Sequence, residues 1–192
     1  MPDFLSMNPD QTALVLIDLQ KGIINMPVAP YDSSTVVSNA ARLAKSFREN
    51  NGLVVLVHVG SSANGEDMID VPTDASLGGG ERPDDWMEFA PELGPGNEDV
   101  IITKKQWGAF YGTDLDLQLR RRGIDTLVMG GIATNFGVES TARDAYERNY
   151  AQIFAEDAMT DMSDEAHQFA VENILKRMGR VRSTDEVIKA LS

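Results

Sequence analysis

The first readable pattern is at residues 12–17, where TALVLI is apolar without interruption over the length of a strand and ends at Asp18. Unbroken apolarity over so short a run predicts a strand buried on both faces, as in a parallel sheet. Over residues 34–50 the spacing changes. Val36, Val37, Ala40, Leu43, Ala44 and Phe47 recur at helical intervals, with Ser33 or Ser34 as the N-cap and Gly52 near the stop. LVVLVHV at residues 53–59 is a second strand pattern. Residues 60–97 carry prolines and a GGG run and show no strong period. This predicts a long excursion with short helical turns around residues 84–92, serving either as a lid or oligomer contact or as an ordinary surface loop.

Regular alternation then resumes. The pattern predicts strands at 99–103, 126–129, 151–155 and 180–182, and helices at 113–122, 135–149 and from Ser163 to Met178 before Gly179. A last helix opens at Ser183 and Glu186, which have capping-box spacing. Strands separated by helix-length segments require right-handed crossovers, which put helices on both faces of a parallel sheet. The expected fold class is therefore α/β: a three-layer α/β/α, Rossmann-like arrangement with a parallel sheet of about six strands. The 192 residues suit one domain spanning 1–192, and no internal repeat interrupts it.

Composition narrows the function classes. The formal net charge of −13 disfavours phosphate backbones and anionic lipid surfaces as partners, so neither nucleic acid nor membrane is expected. The start lacks a basic stretch followed by an apolar run and a cleavage site, which gives a cytoplasmic expectation. The cysteine count is zero, which excludes disulfides, thiolate metal sites and a thiol nucleophile.

In open parallel sheets ligands bind beyond the carboxyl ends of the strands. The polar residues expected there are Asp18 after the first strand, His58 at the end of the second, Lys104 and Lys105 after the third, and GIATNFG over 131–137 after the fourth. That last turn enters a helix, whose unpaired N–H groups and positive dipole end can hold an oxyanion or carboxylate. Every βα unit has such a turn, so it gains weight only beside Asp18 and a lysine, whose charges can tune a general acid or base.

Asp18 within LVLIDLQ, Lys104 within ITKKQWGAFYGTDLDLQLRRRGIDTLV, and GGIATNFGVESTARDAYERNY from Gly130 together resemble the isochorismatase-like, or cysteine hydrolase, superfamily. The resemblance runs from about residue 11 to about residue 160 and omits the excursion. It implies a catalytic set of Asp18, Lys104 and the family's cysteine position, here occupied by Gly137. Lys104 rather than Lys105 takes the lysine role, because the family's lysine stands five residues before the alanine that is here Ala109. The resemblance also implies a cis peptide between Ile132 and Ala133, anion-binding amides at Ala133 and Gly137, and a homo-oligomer. Trp107, Phe110 and Phe136 are candidates for an aromatic wall, or else core residues.

Without a thiol, amide hydrolysis by this family's route is closed. Family members that are true isochorismatases carry glycine at that position and hydrolyse a vinyl ether, with the aspartate protonating the methylene carbon. That resemblance implies Asp18 as general acid and Lys104 as its electrostatic partner, acting on a small carboxylate. No cofactor and no metal are expected: His58 is the only histidine near the site, and His167 reads as a surface or packing residue. Lys105 reads as a solvated neighbour, Ser140 and Thr141 as hydroxyls that bond backbone groups, and Arg143 and Asp144 as a packed or ion-paired helix segment. A second reading stays open, a non-catalytic protein that binds a small carboxylate or stabilises an assembly. Amidase activity in Gly137→Cys would show that the remaining machinery is intact.

Overall fold

The computed structural model describes residues 7–62, 64–75 and 82–191; the Gly78–Gly80 run and the opening residues 1–6 lie outside the described residues. The strands are β1 (Thr12–Ile17), β2 (Leu53–Val59), β3 (Val100–Lys104), β4 (Thr126–Ile132), β5 (Ala151–Thr160) and β6 (Arg180–Arg182). The helices are α1 (Lys21–Ile24), α2 (Ser33–Glu49), α3 (Leu115–Arg121), α4 (Glu139–Glu147), α5 (Asp164–Phe169), α6 (Lys176–Met178) and α7 (Thr184–Leu191). The six strands form one sheet in the order β3-β2-β1-β4-β5-β6, with every neighbouring pair parallel. Strand order reverses between β1 and β4, which opens the crevice in which such sheets carry their sites.

The continuous apolar runs are apolar because both faces are covered. Leu14, Leu16, Val54, Leu56 and Val128 pack on one face with Val36, Ala40, Leu43 and Phe47 of α2 and with Val187 and Leu191 of α7. Ala13, Val15, Ile17, Val55, Val57, Leu127 and Met129 pack on the other with Leu115 and Leu119 of α3 and Ala142 and Ala145 of α4. Each such valine, leucine or phenylalanine contributes about 1.5–3 kcal/mol on burial.

Several boundaries differ from the pattern, for local reasons. The N-cap of α2 is Asp32, which accepts from Thr35 N at 2.8 Å, rather than Ser33 or Ser34. Strand β4 continues past Met129 to Ile132, because Gly130 and Gly131 allow close approach. Gly131 has φ +131, and a Cβ there would stand 2.1 Å from Ile17 O. Strand β5 continues past Ala155 to Thr160, pairing Met159 with Gly131 and Thr160 with Ile132. The helix expected from residue 135 begins as a π-helical turn, Thr134–Val138, ahead of α4. The helix expected from Ser163 to Met178 is capped by Ser163, which accepts from Ala166 N at 3.1 Å, and is π-helical over Ala170–Leu175. Ser183 and Glu186 form the reciprocal cap before α7.

The short turns expected around residues 84–92 are present: the chain turns at 84–87 and, after an extended return, enters a 3-10 turn at Pro91–Leu93. The return is stitched to the chain after β1 by Gly22 N to Trp86 O at 3.0 Å, Lys21 N to Glu88 O at 2.8 Å and Ala90 N to Leu19 O at 2.9 Å. Gln20, fully buried, donates to Val59 O and Trp86 O and accepts from Val59 N. This part of the excursion is a fixed wall beside the ends of β1 and β2. Among the described residues no helix is long and apolar enough to cross a membrane.

Candidate active site

Asp18 is the first residue beyond β1 and sits at φ +54, a left-handed conformation that non-glycine residues adopt uncommonly. Its N–H donates to Val57 O at 2.9 Å, which ties the turn to β2. Lys104 ends β3, two strands away, and its side chain reaches across to place Nζ 2.7 Å from Asp18 Oδ2. The same ammonium donates to Trp107 O. Lys104 is 1% exposed and Asp18 7%. Burial pushes Asp18 up to about 6, against the opposing charge and hydrogen bond of Lys104 and a weaker opposing contribution from the Val59 N–H. Asp18 Oδ1 is buried and has no hydrogen-bond partner among the described residues.

Gly137, in the π-helical turn, faces this pair. A Cβ on it would stand 2.9 Å from Ile17 Cγ2 and 3.1 Å from both Asp18 Oδ2 and Lys104 Nζ. The turn follows a cis peptide between Ile132 and Ala133. Of the aromatic candidates, Trp107 is half exposed and meets Phe136 edge-on, with ring centroids 5.0 Å apart. Phe110 is not part of that wall; it is buried against Tyr150 and Arg148 in the core.

Other sequence candidates fall elsewhere. His58 does not turn toward Asp18: its ring nitrogens meet Met87 O at 2.9 Å and Thr103 Oγ1 at 2.7 Å, and its ring stacks on Phe89. It fastens the returning wall to β3. Lys105 is paired rather than simply solvated, with Asp67 of the excursion at 2.8 Å, and its hydrogen bond holds the Asp67 carboxyl well below the usual range. The two adjacent lysines thus divide between the sheet's interior and its rim, as alternating strand residues do. Thr141 donates to Gly137 O at 2.7 Å and accepts from Ala109 N, and Arg143 and Asp144 pair with Glu139 and Arg148. Among the described residues no cluster of three or more His, Cys, Asp or Glu residues could hold a metal ion.

Pattern reasoning missed the supports behind the turn. Of the two readings of His167 the packing one holds: it is fully buried, with Nδ1 2.9 Å from Thr134 Oγ1 and Nε2 3.4 Å from Glu156 Oε1. Asp161, also buried, accepts from Asn135 N and Met162 N at 2.7 Å each, and burial raises its carboxyl. The available signal was an aspartate at the carboxyl end of a strand, hidden because β5 was expected to stop at Ala155.

Comparison with known proteins identifies the family. An isochorismatase domain model matches residues 12–186. The isochorismatase family protein YwoC of Bacillus subtilis is 50% identical, over 98% of this chain and 98% of its own. YecD of Escherichia coli O157:H7, described as being of the same family, is 46% identical over 97% of this chain and 100% of its own. Among solved structures, an isochorismatase family protein from Burkholderia thailandensis superposes with a TM-score of 0.94 at 44% identity, covering 98% of this chain and 99% of that one.

Proposed function

Because the chain belongs to the isochorismatase family, we propose that it hydrolyses a vinyl ether of the isochorismate type, with Asp18 as general acid and Lys104 as its electrostatic partner. The observation that carries this reading is the state of Asp18. Its carboxyl is raised to about 6 by burial, and Oδ1 has no partner while Lys104 holds Oδ2. An acid for carbon protonation must hold its proton well above the ordinary carboxylate range and carry it on an oxygen not already engaged.

In the reaction, the proton on Oδ1 passes to the methylene carbon of the enolpyruvyl group, whose double-bond electrons form the new C–H bond. The ether carbon becomes an oxocarbenium ion. Water adds to that carbon and returns a proton to Asp18, and as the hemiketal breaks its bond to the alcohol oxygen, its hydroxyl proton is passed to that oxygen and the ketone of pyruvate forms, releasing pyruvate and the alcohol. Lys104 steadies the carboxylate left on Asp18 between these steps. The Ala133 and Gly137 amides are assigned to the substrate carboxylate, and Trp107 with Phe136 to a wall beside it. The chemistry needs a proton and water, so neither a protein nucleophile nor a cofactor enters.

The test is pyruvate release from isochorismate by the wild type and by Asp18→Asn. Loss of a general acid lowers the rate by about 10²–10⁴, and the wild-type rate falls as pH rises through about 6, where Asp18 gives up its proton. The near-complete burial of both Asp18 and Lys104 favours a second reading, in which the site holds a small carboxylate without turning it over. Saturable carboxylate binding with no pyruvate would establish that one.

A further inference from the structure

Two side chains behind the turn, His167 and Asp161, hold its hydroxyl and its backbone from within the core. Thr134 Oγ1 donates its single proton to Thr160 O at 3.1 Å, so it accepts from His167, and the hydrogen of that imidazole is on Nδ1. Nε2 stands 3.4 Å from Glu156 Oε1, which accepts from Tyr31 OH at 3.0 Å, and the Tyr31 ring meets the imidazole edge-on at 5.9 Å. One residue further along, the N–H of Asn135 is taken by Asp161. Asp161 is itself fixed, because its backbone exchanges hydrogen bonds of 2.8 and 3.0 Å with Ala29. His167, Thr134 and Asp161 are 0%, 0% and 1% exposed, so each unmet partner would be a buried polar group without a hydrogen bond.

These bonds fall on the two residues that follow the cis peptide and precede Phe136 and Gly137. The front of the same turn closes on Asp18: the Gly137 Cα carries its hydrogens toward Asp18 Oδ2 and Lys104 Nζ, where a Cβ would be 3.1 Å from each. The turn is therefore gripped from behind by β5 and α5 and forms the cover of Asp18 in front. We propose that His167, through Thr134, and Asp161, through the Asn135 amide, are positioning residues that press the Gly137 turn onto Asp18 and keep water from its carboxyl. The inference rests on the reading of Asp18 as the reacting group only for its use; the closure itself needs no substrate.

The consequence is readable at Asp18. Burial is the largest cause of its raised carboxyl, and Lys104 pulls the other way. If the turn lifts, water reaches the carboxyl, the burial contribution shrinks and the lysine's pull prevails. The experiment is a pH titration of the side-chain carboxyl carbons of the full chain by NMR, with the Asp18 signal identified by its loss in Asp18→Asn. Thr134→Val keeps the side chain's shape and removes its hydroxyl, Thr134→Ser keeps the hydroxyl, and His167→Gln and Asp161→Asn alter the two supports. Circular dichroism and thermal midpoints establish that each variant is folded. The expected result is a wild-type midpoint near 6 that falls toward the ordinary carboxylate value of about 4 in Thr134→Val and His167→Gln, with Thr134→Ser close to wild type. Variants that melt earlier while leaving the Asp18 midpoint in place would overturn the proposal and leave these residues a purely structural role. Should His167→Gln fail to fold, Thr134→Val and Thr134→Ser decide the matter between them. Because no substrate is present, absence of pyruvate release in the separate assay does not bear on this outcome.

Discussion

Lys104 meets one carboxylate and one carbonyl inside the protein, and among the described residues it is the charge that opposes the burial of Asp18. Removing it in Lys104→Met leaves Asp18 without its partner, so its carboxyl rises above the wild-type value of about 6. The linkage has a definite sign. A carboxyl raised from 3.8 to about 6 on folding binds its proton more tightly in the native state, so its contribution is complete below the unfolded value and is lost as pH climbs to the folded one. Denaturant midpoints of the wild type should accordingly fall between about pH 4 and pH 6 relative to Asp18→Asn. In Lys104→Met the fall extends to higher pH, and near neutrality the unpaired group costs about 3–5 kcal/mol; a pH-independent difference between the variants would contradict the pairing. Gly137 is constrained from the same side. In Gly137→Ala the Cβ meets Ile17 Cγ2 at 2.9 Å, so overpacking should cost about 1–3 kcal/mol by urea unfolding. The same crowding bears on Gly137→Cys, whose Cβ would stand 3.1 Å from both Asp18 Oδ2 and Lys104 Nζ, so the pair must give slightly to admit it. Amidase activity in that variant would still be informative, and its absence would not. These residues were legible in the sequence because strand ends are; the crowding between them was not, because it depends on how closely β4 approaches β1 at Gly131.

Elements whose character is set by a continuous apolar run, such as β1 and β2, match their expected bounds, since a strand covered on both faces has nothing else to be. Strand β5 did not, because Glu156 and Asp157 break the run while their side chains find partners in Tyr31 OH and in Thr184 N and Oγ1. That extension carries Asp161 to the turn, and with it the support that periodicity could not reveal. The two π-helical stretches were hidden for a related reason: their residues keep helical spacing, and only the tertiary contacts widen the turn. The returning segment of the excursion is the clearest case. No period marks it, yet Gly22 is what admits it, since a Cβ there would stand 2.1 Å from the Trp86 indole. Gly22→Ala should therefore push Trp86 off the chain after β1. In a Trp107→Phe background, which leaves Trp86 as the sole tryptophan, its emission should shift to the red and become more easily quenched by iodide. An unchanged spectrum would mean that the wall closes without this contact.

The whole chain carries a formal charge of −13, and the cations nearest the proposed site are largely spoken for: Lys104 by Asp18, Lys105 by Asp67 and Lys21 by Asp85 and Glu88. Arg82, in the excursion, is an exception. It lies 4.4 Å over the Trp86 ring and donates to Ser61, with no carboxylate in ion-pair distance among the described residues. A dianionic substrate of the proposed type would thus approach a repelling surface, with Arg82 as a candidate attractor. If the overall charge governs approach, added salt screens repulsion and kcat/KM for isochorismate rises, by roughly two- to threefold as sodium chloride goes from about 20 to 200 mM. Chemistry inside the closed site is beyond the reach of that screening, so kcat should stay level while KM falls. The competing outcome is equally definite. A fall in kcat/KM with salt, abolished in Arg82→Gln, would place the guiding field at this arginine and make the mouth, rather than the acidic surface as a whole, the determinant of substrate capture.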